Sequence, residues 1–116
     1  MIVIPIHKTN EILSVASVFD KAKWFAFVKD NEIIVKEKET YSPLALKQWL
    51  LQNGVTVLIF RKITNLQYQM IKNEKDIQIF YTGYSRINLS DALIRYKNKE
   101  LTKIDDNNYS SILHHF

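Results

Sequence analysis

The sequence predicts an α/β protein in which a mixed sheet of five strands lies between helices, as a three-layer α/β/α sandwich. Short apolar runs rich in β-branched residues alternate with segments whose apolar residues recur at helical spacing. The resulting order is β-ββ-α-β-α-β-α, and the later strands are separated by helices, as parallel strands require. With 116 residues, 47% of them hydrophobic, the chain is large enough for one domain with a continuous core.

The strands are predicted from five short apolar runs. The second and third runs flank the turn Lys29–Asn31 and predict an antiparallel hairpin, so that only Trp24–Val28 runs against the other strands. Pro5 has no backbone N–H to donate, and we expect it near the end of the first strand. An irregular crossing, His7–Lys23, follows that strand. The five runs are Ile2–Ile6, Trp24–Val28, Glu32–Lys36, Val55–Phe60 and Ile77–Tyr81.

Three helices are predicted from their first residues and from apolar spacing. The segment Ser42–Gln52 begins with a serine N-cap and a proline at the first helical position, and Asn53-Gly54 ends it. A shorter helix, Leu66–Ile71, follows Thr64. The third helix begins at Asn88, with an acidic residue three positions on and a single apolar face.

Composition excludes several classes of protein. The chain has no cysteine, which excludes disulfide bridges, thiolate-bound zinc or iron–sulfur centres and a cysteine nucleophile. No run approaches the roughly 20 apolar residues that span a bilayer, and Met1–Ile6 is typical of a first strand rather than a signal peptide. We therefore expect a soluble, cytoplasmic protein with no membrane partner. Residues 1–104 are expected to form its single domain, and residues 105–116 a polar C-terminal tail.

Basic residues follow several of the predicted strands. Sixteen Lys and Arg against twelve Asp and Glu give a formal charge of +4, which favours anionic partners without identifying one. In a parallel sheet the loops at the carboxyl ends meet, and the N–H groups near Asn88 add donors, so an anion-binding crevice is predicted there. The alternative is that these cations only keep the surface soluble. The cations are Lys8, Lys21, Lys23, Arg61, Lys62 and Arg86.

A histidine and two tyrosines lie near the same predicted edge. His7 follows the first strand and is either a ligand contact or an ordinary loop histidine. Tyr81 and Tyr84 flank Thr82-Gly83 and either line a pocket or pack against the protein. His114-His115 lack the spacing of a helical metal site, and no metal ligand is predicted. The candidate ligand-binding residues are His7, Lys8, Lys21, Arg61, Lys62, Tyr84 and Arg86.

Three stretches of sequence resemble the dinitrogenase iron-molybdenum cofactor biosynthesis family. They are Met1–Ile6, Val18–Val28, and a block from Gly54–Phe60 through Ile77–Gly83 to Leu89–Leu93, which together span nearly all of the predicted domain. The resemblance implies a ribonuclease H-like fold. It also implies a role connected with nitrogen fixation, in which the protein binds an anionic metal–sulfur cofactor, an iron-molybdenum or iron–sulfur cluster, and meets other cofactor-assembly proteins.

Two segments depart from the family pattern where similar proteins carry functional residues. Val18-Phe19-Asp20 stands where members often have His-Phe-Gly, so a valine, which cannot bind metal, replaces the expected cofactor-ligating histidine. Arg61–Thr64 stands where many members have Gly-Gly-Ile-Gly, and its side chains hinder the close backbone approach that glycine permits. The resemblance is therefore stronger for the scaffold than for the site.

The leading hypothesis is a non-catalytic binding or carrier protein that holds an anionic metal–sulfur cofactor or a small anion at the carboxyl edge of the sheet. The alternative is a protein-interaction or regulatory module that has lost cofactor binding, which the two departures favour. A nucleic-acid binder is a third, less favoured hypothesis, marked by steep salt dependence. Under the leading hypothesis, Arg61 and Lys62 face the crevice and contribute to binding rather than to stability.

No catalytic residues are predicted, and we expect that the protein is not an enzyme. The sequence contains no Gly-rich phosphate loop, serine elbow or His/Asp/Ser arrangement. Two-metal hydrolysis of nucleic acid needs converging carboxylates, usually with one on the first strand. Neither Ile2–Ile6 nor Val55–Phe60 contains one.

The purified protein is therefore expected to leave RNA and DNA intact in the presence of magnesium or manganese. Gel assays on single- and double-stranded substrates check this expectation. Metal-dependent cleavage that copurifies with the folded protein, and disappears when one of its own acidic residues is replaced, would contradict it.

Overall fold

The computed structural model describes residues 1–8, 12–40 and 42–113, and in them the chain forms seven β-strands, four α-helices and one 3₁₀ helix. The strands are β1 (Ile2–Lys8), β2 (Leu13–Val15), β3 (Trp24–Lys29), β4 (Glu32–Glu37), β5 (Val57–Phe60), β6 (Gln78–Tyr81) and β7 (Thr102–Lys103). The helices are α1 (Pro43–Gln52), α2 (Asn65–Ile71), α3 (Leu89–Lys97), α4 (Tyr109–Leu113) and the 3₁₀ helix Phe19–Lys21. None of these helices is both long and apolar enough to cross a membrane.

All seven strands belong to one mixed sheet. Its order is β4-β3-β1-β5-β6-β7, and β2 pairs with the second half of β1. β1 is parallel to β5, and β5 is parallel to β6, whereas β3 is antiparallel to both of its neighbours, β1 and β4. The prediction that Trp24–Val28 alone runs against the other four predicted strands is therefore confirmed.

The predicted number of five strands is wrong, because two short strands escaped prediction. β2 has three residues and β7 has two, which is too short for the period-2 pattern that marks a strand. β2 lies in the segment His7–Lys23, predicted as an irregular crossing, and pairs antiparallel with the last three residues of β1. β7 pairs antiparallel with the end of β6.

β1 changes its partner in mid-strand, at Pro5. On one side β1 pairs with β3, while on the other its first two residues pair with β5 and its last three pair with β2. The Pro5 carbonyl accepts a hydrogen bond from the N–H of Ala16, just beyond β2 (2.8 Å). The N–H and the carbonyl of one strand residue point the same way. The position where Pro5 lacks an N–H therefore lies on the side of β1 where β5 ends and β2 begins, and the pairing with β3 loses no donor. Pro5 thus lies inside β1, whereas the sequence predicts it near the strand's end.

A buried apolar cluster covers each face of the sheet. On one face, Phe25 and Phe27 of β3 meet the Trp49 ring of α1 edge-on, with ring centroids 5.6 and 5.3 Å apart, and α2 packs into the same cluster. On the other face, α3 packs against strand residues that include Ile4 and Ile59. Burying one such side chain is worth about 1.5–3 kcal/mol, so these two clusters, rather than the short helices themselves, hold the fold.

The predicted N-caps Ser42 and Asn88 are confirmed, and Thr64, which was predicted only to precede the second helix, is an N-cap as well. Ser42 caps α1, Thr64 caps α2 and Asn88 caps α3, and in each case the side-chain oxygen accepts a hydrogen bond from the backbone N–H three residues on. After α1, Gly54 has a φ of +71°, in the left-handed region that favours glycine. These local signals therefore fix where each helix begins.

The C-terminal segment packs on the domain through α4. The Tyr109 ring stacks on the Tyr68 ring at a centroid distance of 3.7 Å, and its hydroxyl donates to the side-chain oxygen of Asn65 (2.6 Å). The Tyr68 hydroxyl donates to a carboxylate oxygen of Asp106 (3.1 Å). Residues 105–113, predicted as a polar tail, are thus held by aromatic and polar contacts, and His114, His115 and Phe116 lie outside the described residues.

The contact between Tyr68 and Asp106 predicts a stability change at high pH. Burial, with the Asp106 hydrogen bond second, raises the pKa of Tyr68 from 10.0 to about 12, so the folded state favours the neutral phenol. The resulting stabilisation is fully present below the unfolded pKa and is lost as the pH rises through the folded pKa.

Tyr68→Phe is expected to lower the free energy of unfolding near pH 7 by about 0.5–1.5 kcal/mol, because one hydrogen bond is lost. It should also reduce the further loss of stability between about pH 10 and pH 12. Urea unfolding across this range measures both effects, with Tyr96→Phe, on the other face of the sheet, as the control. An equal alkaline loss in the Tyr68 variant and the unmodified protein would contradict the assignment.

Candidate functional site

A cleft of about 530 Å³ opens at the carboxyl edge of the sheet. Its walls come from the end of β1, from β2 and the residues after it, from the start of β3, and from the loops that follow β5 and precede α3. β1 and β5 are parallel, so their carboxyl ends lie at the same edge of the sheet, but the two strands are not paired beyond Val3. The volume is within the range of roughly 300–1,000 Å³ that is usual for small-ligand sites.

Four of the seven predicted ligand-binding residues line this cleft: His7, Lys21, Arg61 and Arg86. They come from four separate parts of the chain, and three of them are cations. Lys23 adds a further cation, and no Asp or Glu occurs among the described residues that form the walls. The structure therefore brings side chains from distant loops together around a positively charged cleft.

The other three predicted residues do not form its walls. The Lys8 ammonium lies 4.7 Å from the centroid of the Trp24 ring, at the rim. The Lys62 carbonyl accepts a hydrogen bond from the N–H of Phe19 (2.7 Å). The Tyr84 hydroxyl donates to the carbonyl of Ile112 in α4 (2.7 Å), so this tyrosine fastens the C-terminal helix.

Arg61 joins two parts of the cleft wall, the end of β2 and the loop before α3. Its guanidinium donates twice to the Tyr84 carbonyl, from Nη2 at 2.6 Å and from Nε at 3.2 Å. Nη1 also donates to the Val15 carbonyl at the end of β2 (3.5 Å). Arg61 therefore stabilises the walls, whereas the sequence predicts that it contributes to binding rather than to stability.

The segments Val18–Asp20 and Arg61–Thr64 are joined by hydrogen bonds. The Asp20 carboxylate accepts hydrogen bonds from the Thr64 N–H at 3.0 Å and from the Thr64 hydroxyl at 2.8 Å. The hydrogen bond from Phe19 to Lys62 joins the same two segments. Val18 forms part of the cleft wall, and its side chain has no hydrogen-bond donor or acceptor.

The same contact region contains a partly buried lysine. The Lys38 ammonium donates to the Asp20 carbonyl oxygen (2.7 Å). Burial lowers the pKa of Lys38, and the Asp20 charge opposes that shift. Asp20 thus joins three parts of the chain: the 3₁₀ helix, the N-terminus of α2 and the segment after β4.

Trp24 is a site residue that the sequence did not predict, because its apolar run indicates a core position. Its half-buried ring lies in the cleft wall, with the ammonium groups of Lys8 and Lys23 at 4.7 and 5.6 Å from the ring centroid. One feature of the sequence could have indicated a site role: Trp24 is the first residue of its strand and directly follows a lysine. Ser14 and Ser17 also line the cleft. They were not predicted, because they lie in or directly after β2, a strand that the sequence did not reveal.

The described residues contain no group of three or more His, Cys, Asp or Glu placed to hold a metal ion. His7 is the one described histidine in the cleft wall, and the chain has no cysteine. The donor atoms in the described cleft therefore suit an anion better than a coordinated metal.

The sequence matches no protein-family model, and no curated protein matches it significantly. Several solved structures share the fold. The crystal structure of PH0822 is 17% identical, with a TM-score of 0.71 over 90% of this chain and 96% of that one. A NifB-like protein from Thermotoga, of the DUF35 family, is 16% identical, with a TM-score of 0.69 over 88% and 90% of the two chains. The apo form of the orange protein from Desulfovibrio gigas is 13% identical, with a TM-score of 0.73 over 89% and 91%. At these identities the likeness shows the fold alone.

Asp20 and Thr64 are expected to stabilise the protein jointly. Asp20→Ala removes two hydrogen bonds to a charged acceptor and is expected to lower the free energy of unfolding by about 1.5–3 kcal/mol. Because Thr64→Ala removes one of the same bonds, the double variant should be less destabilised than the sum, by about 1 kcal/mol. Urea unfolding of the four proteins measures this coupling, with Asp76→Ala as an exposed control. Strictly additive effects would contradict the contact.

Proposed function

We propose that this protein is a non-catalytic binding or carrier protein that holds an anionic ligand in the cleft, on a ribonuclease H-like scaffold. The observation that carries the proposal is the meeting of Lys21, Arg61 and Arg86 with His7 around one cleft whose described walls contain no carboxylate. Cations gathered in a concave site raise the local concentration of anions and bind them through charge-assisted hydrogen bonds.

The hydrogen bonds of the Arg61 guanidinium support the proposal of an anionic ligand. A guanidinium carries five N–H donors, so its bonds to the Tyr84 and Val15 carbonyls leave capacity for a further acceptor. Those carbonyl contacts also fix the plane of the guanidinium beforehand. A ligand that meets a fixed donor loses less conformational entropy on binding than one that must order a mobile side chain.

The family resemblance and the fold shared with a NifB-like protein suggest a metal–sulfur cofactor as the ligand. The described donor set does not fit a cluster coordinated by protein side chains, because Val18 replaces the expected histidine and the chain has no cysteine. It does fit an anion held by charge and hydrogen bonds. We therefore propose a small anion, or a complete anionic cluster carried without protein ligands to its metals.

The proposal includes no reaction. General acid–base or two-metal chemistry would need carboxylates or a paired nucleophile and base beside the ligand. The described cleft offers two serines, a histidine and cations, and Ser14 and Ser17 follow no strand-to-helix elbow that would activate them. We propose a binding role on this ground.

A second candidate function is a protein-interaction or regulatory module that has lost its cofactor. The bonds between Asp20 and Thr64 favour it, since they fasten together two segments that in similar proteins approach a cofactor. The two candidates differ in one measurable property. The module would bind no anion, whereas the carrier would.

Arg86→Ala is expected to weaken binding of inorganic phosphate by about tenfold or more, because a charge-assisted contact contributes roughly 1.5–3 kcal/mol. Its stability should hardly change, since Arg86 is exposed. Arg61→Ala should weaken binding as well and also destabilise the protein, whereas Arg61→Lys keeps the charge but loses the forked hydrogen bonds. Titration calorimetry at low ionic strength and urea unfolding separate the two effects.

Arg95→Ala is the matched control, because Arg95 is an exposed arginine of α3 that does not line the cleft. Protein purified without oxygen should be examined for an absorption band and for iron, molybdenum and sulfide. Unchanged phosphate affinity in Arg86→Ala, or no phosphate binding in the unmodified protein, would reject the small-anion proposal and favour the module.

A further inference from the structure

β4 forms one edge of the sheet, with β3 as its sole strand neighbour among the described residues. Five of its six residues are exposed, and they include the apolar residues Ile33 and Ile34, which are 47% and 51% exposed. An exposed edge strand of this length with apolar side chains is a template for pairing with another strand.

The backbone groups of β4 that face outward follow from its pairing with β3. The Lys38 N–H donates to the Lys23 carbonyl (2.7 Å), just beyond the last strand pair. In an antiparallel ladder such hydrogen-bonded pairs alternate with pairs that are not hydrogen-bonded. Every second residue from Lys38 back to Glu32 therefore turns its N–H and carbonyl toward β3. The residues between them turn theirs to the free edge: Ile33, Val35 and Glu37.

We propose that β4 pairs antiparallel with β4 of a second copy of this chain, about a two-fold axis at Ile34. In this register Ile34 faces the same residue of the second copy, and Glu32 faces Lys36 on both sides of the axis. Ile33 faces Val35, and these two residues exchange the outward backbone hydrogen bonds. Apolar residues thus meet apolar residues, and opposite charges meet.

Only registers that differ from the proposed one by two residues keep the outward backbone groups of the two copies opposite each other. In the two nearest of these registers, charged residues face apolar ones. With the axis at Ile33, Glu32 would face Ile34. With the axis at Val35, Ile33 would face Glu37, and Ile34 would face Lys36. Charges opposite apolar residues lose both the cross-strand ion pair and the apolar contact, so charge complementarity selects Ile34 as the centre.

The rest of the fold leaves room for this pairing. Ile34 lies opposite Phe27 on the face that α1 covers, and Lys36 donates to the Asn53 side chain at the end of α1 (2.7 Å). Pairing through β4 continues each face of the sheet into the second copy and keeps α1 beside, not across, the edge. The cleft at the carboxyl edge is lined by other residues, so the pairing is independent of the proposed ligand.

Single cysteines test the register, because the chain has none of its own. Opposite residues of a pair that is not hydrogen-bonded have Cα atoms about 4.5 Å apart, which a disulfide can bridge. Ile34→Cys should therefore form a covalent dimer under mild oxidation. Ile33→Cys and Val35→Cys should not, since their copies would be diagonal neighbours about 7–8 Å apart. Cross-linking at either of these positions instead of Ile34 would overturn the register.

Sedimentation equilibrium tests the association itself. Glu32→Lys and Lys36→Glu should each weaken the dimer by roughly fivefold or more, since each places like charges opposite one another twice. The double variant restores opposite charges and should regain the original affinity. Ile34→Lys should give a monomer, whereas Ile94→Lys, at an α3 residue of similar exposure (54%), should not. A monomeric unmodified protein at millimolar concentration, or a double variant as weak as the single ones, would overturn the proposal.

Discussion

The change of partner along β1 is the constraint from which the cleft arises. β1 is buried through Val3–Ile6 and must satisfy its backbone groups on both sides, yet β5 pairs with its first two residues alone. Pro5 has no N–H to satisfy at the point where the pairing of β1 with β5 has ended, and its carbonyl accepts a hydrogen bond from the Ala16 N–H. β2 then completes the strand's free side. The carboxyl ends of β1 and β5 are thereby separated, and the space between them becomes the cleft.

The contact between Asp20 and Thr64 fixes the 3₁₀ helix against the N-terminus of α2. It caps the short α2 from outside the helix, because the Thr64 N–H and hydroxyl both donate to Asp20 while the Thr64 hydroxyl accepts from Gln67. A glycine at position 20 would supply neither bond, and a glycine at position 64 would keep the N–H donor but lose the hydroxyl. The contact therefore stabilises the region between the 3₁₀ helix and α2, which lies beside the positively charged cleft.

The sequence predicts the elements whose signals are local and long enough. Ser42, Thr64 and Asn88 are N-caps because each needs only a side chain and an N–H three residues on. β2 could not be predicted from three residues, since its pairing depends on where β5 ends. At the site, parallel topology predicts that Arg61 and Arg86 converge, but side-chain direction decides the rest. Lys62 follows Arg61 directly, yet does not line the cleft.

Arg61 is a cleft residue on which the fold also depends. Its three bonds to the Tyr84 and Val15 carbonyls join β2 to the loop before α3, and Tyr84 in turn holds α4 through Ile112. A lysine has no planar fork with which to make these bonds together. The same bonds fix the orientation of the guanidinium when the chain folds. Arg61 thus links the end of β2, the loop before α3 and, through Tyr84, the C-terminal helix.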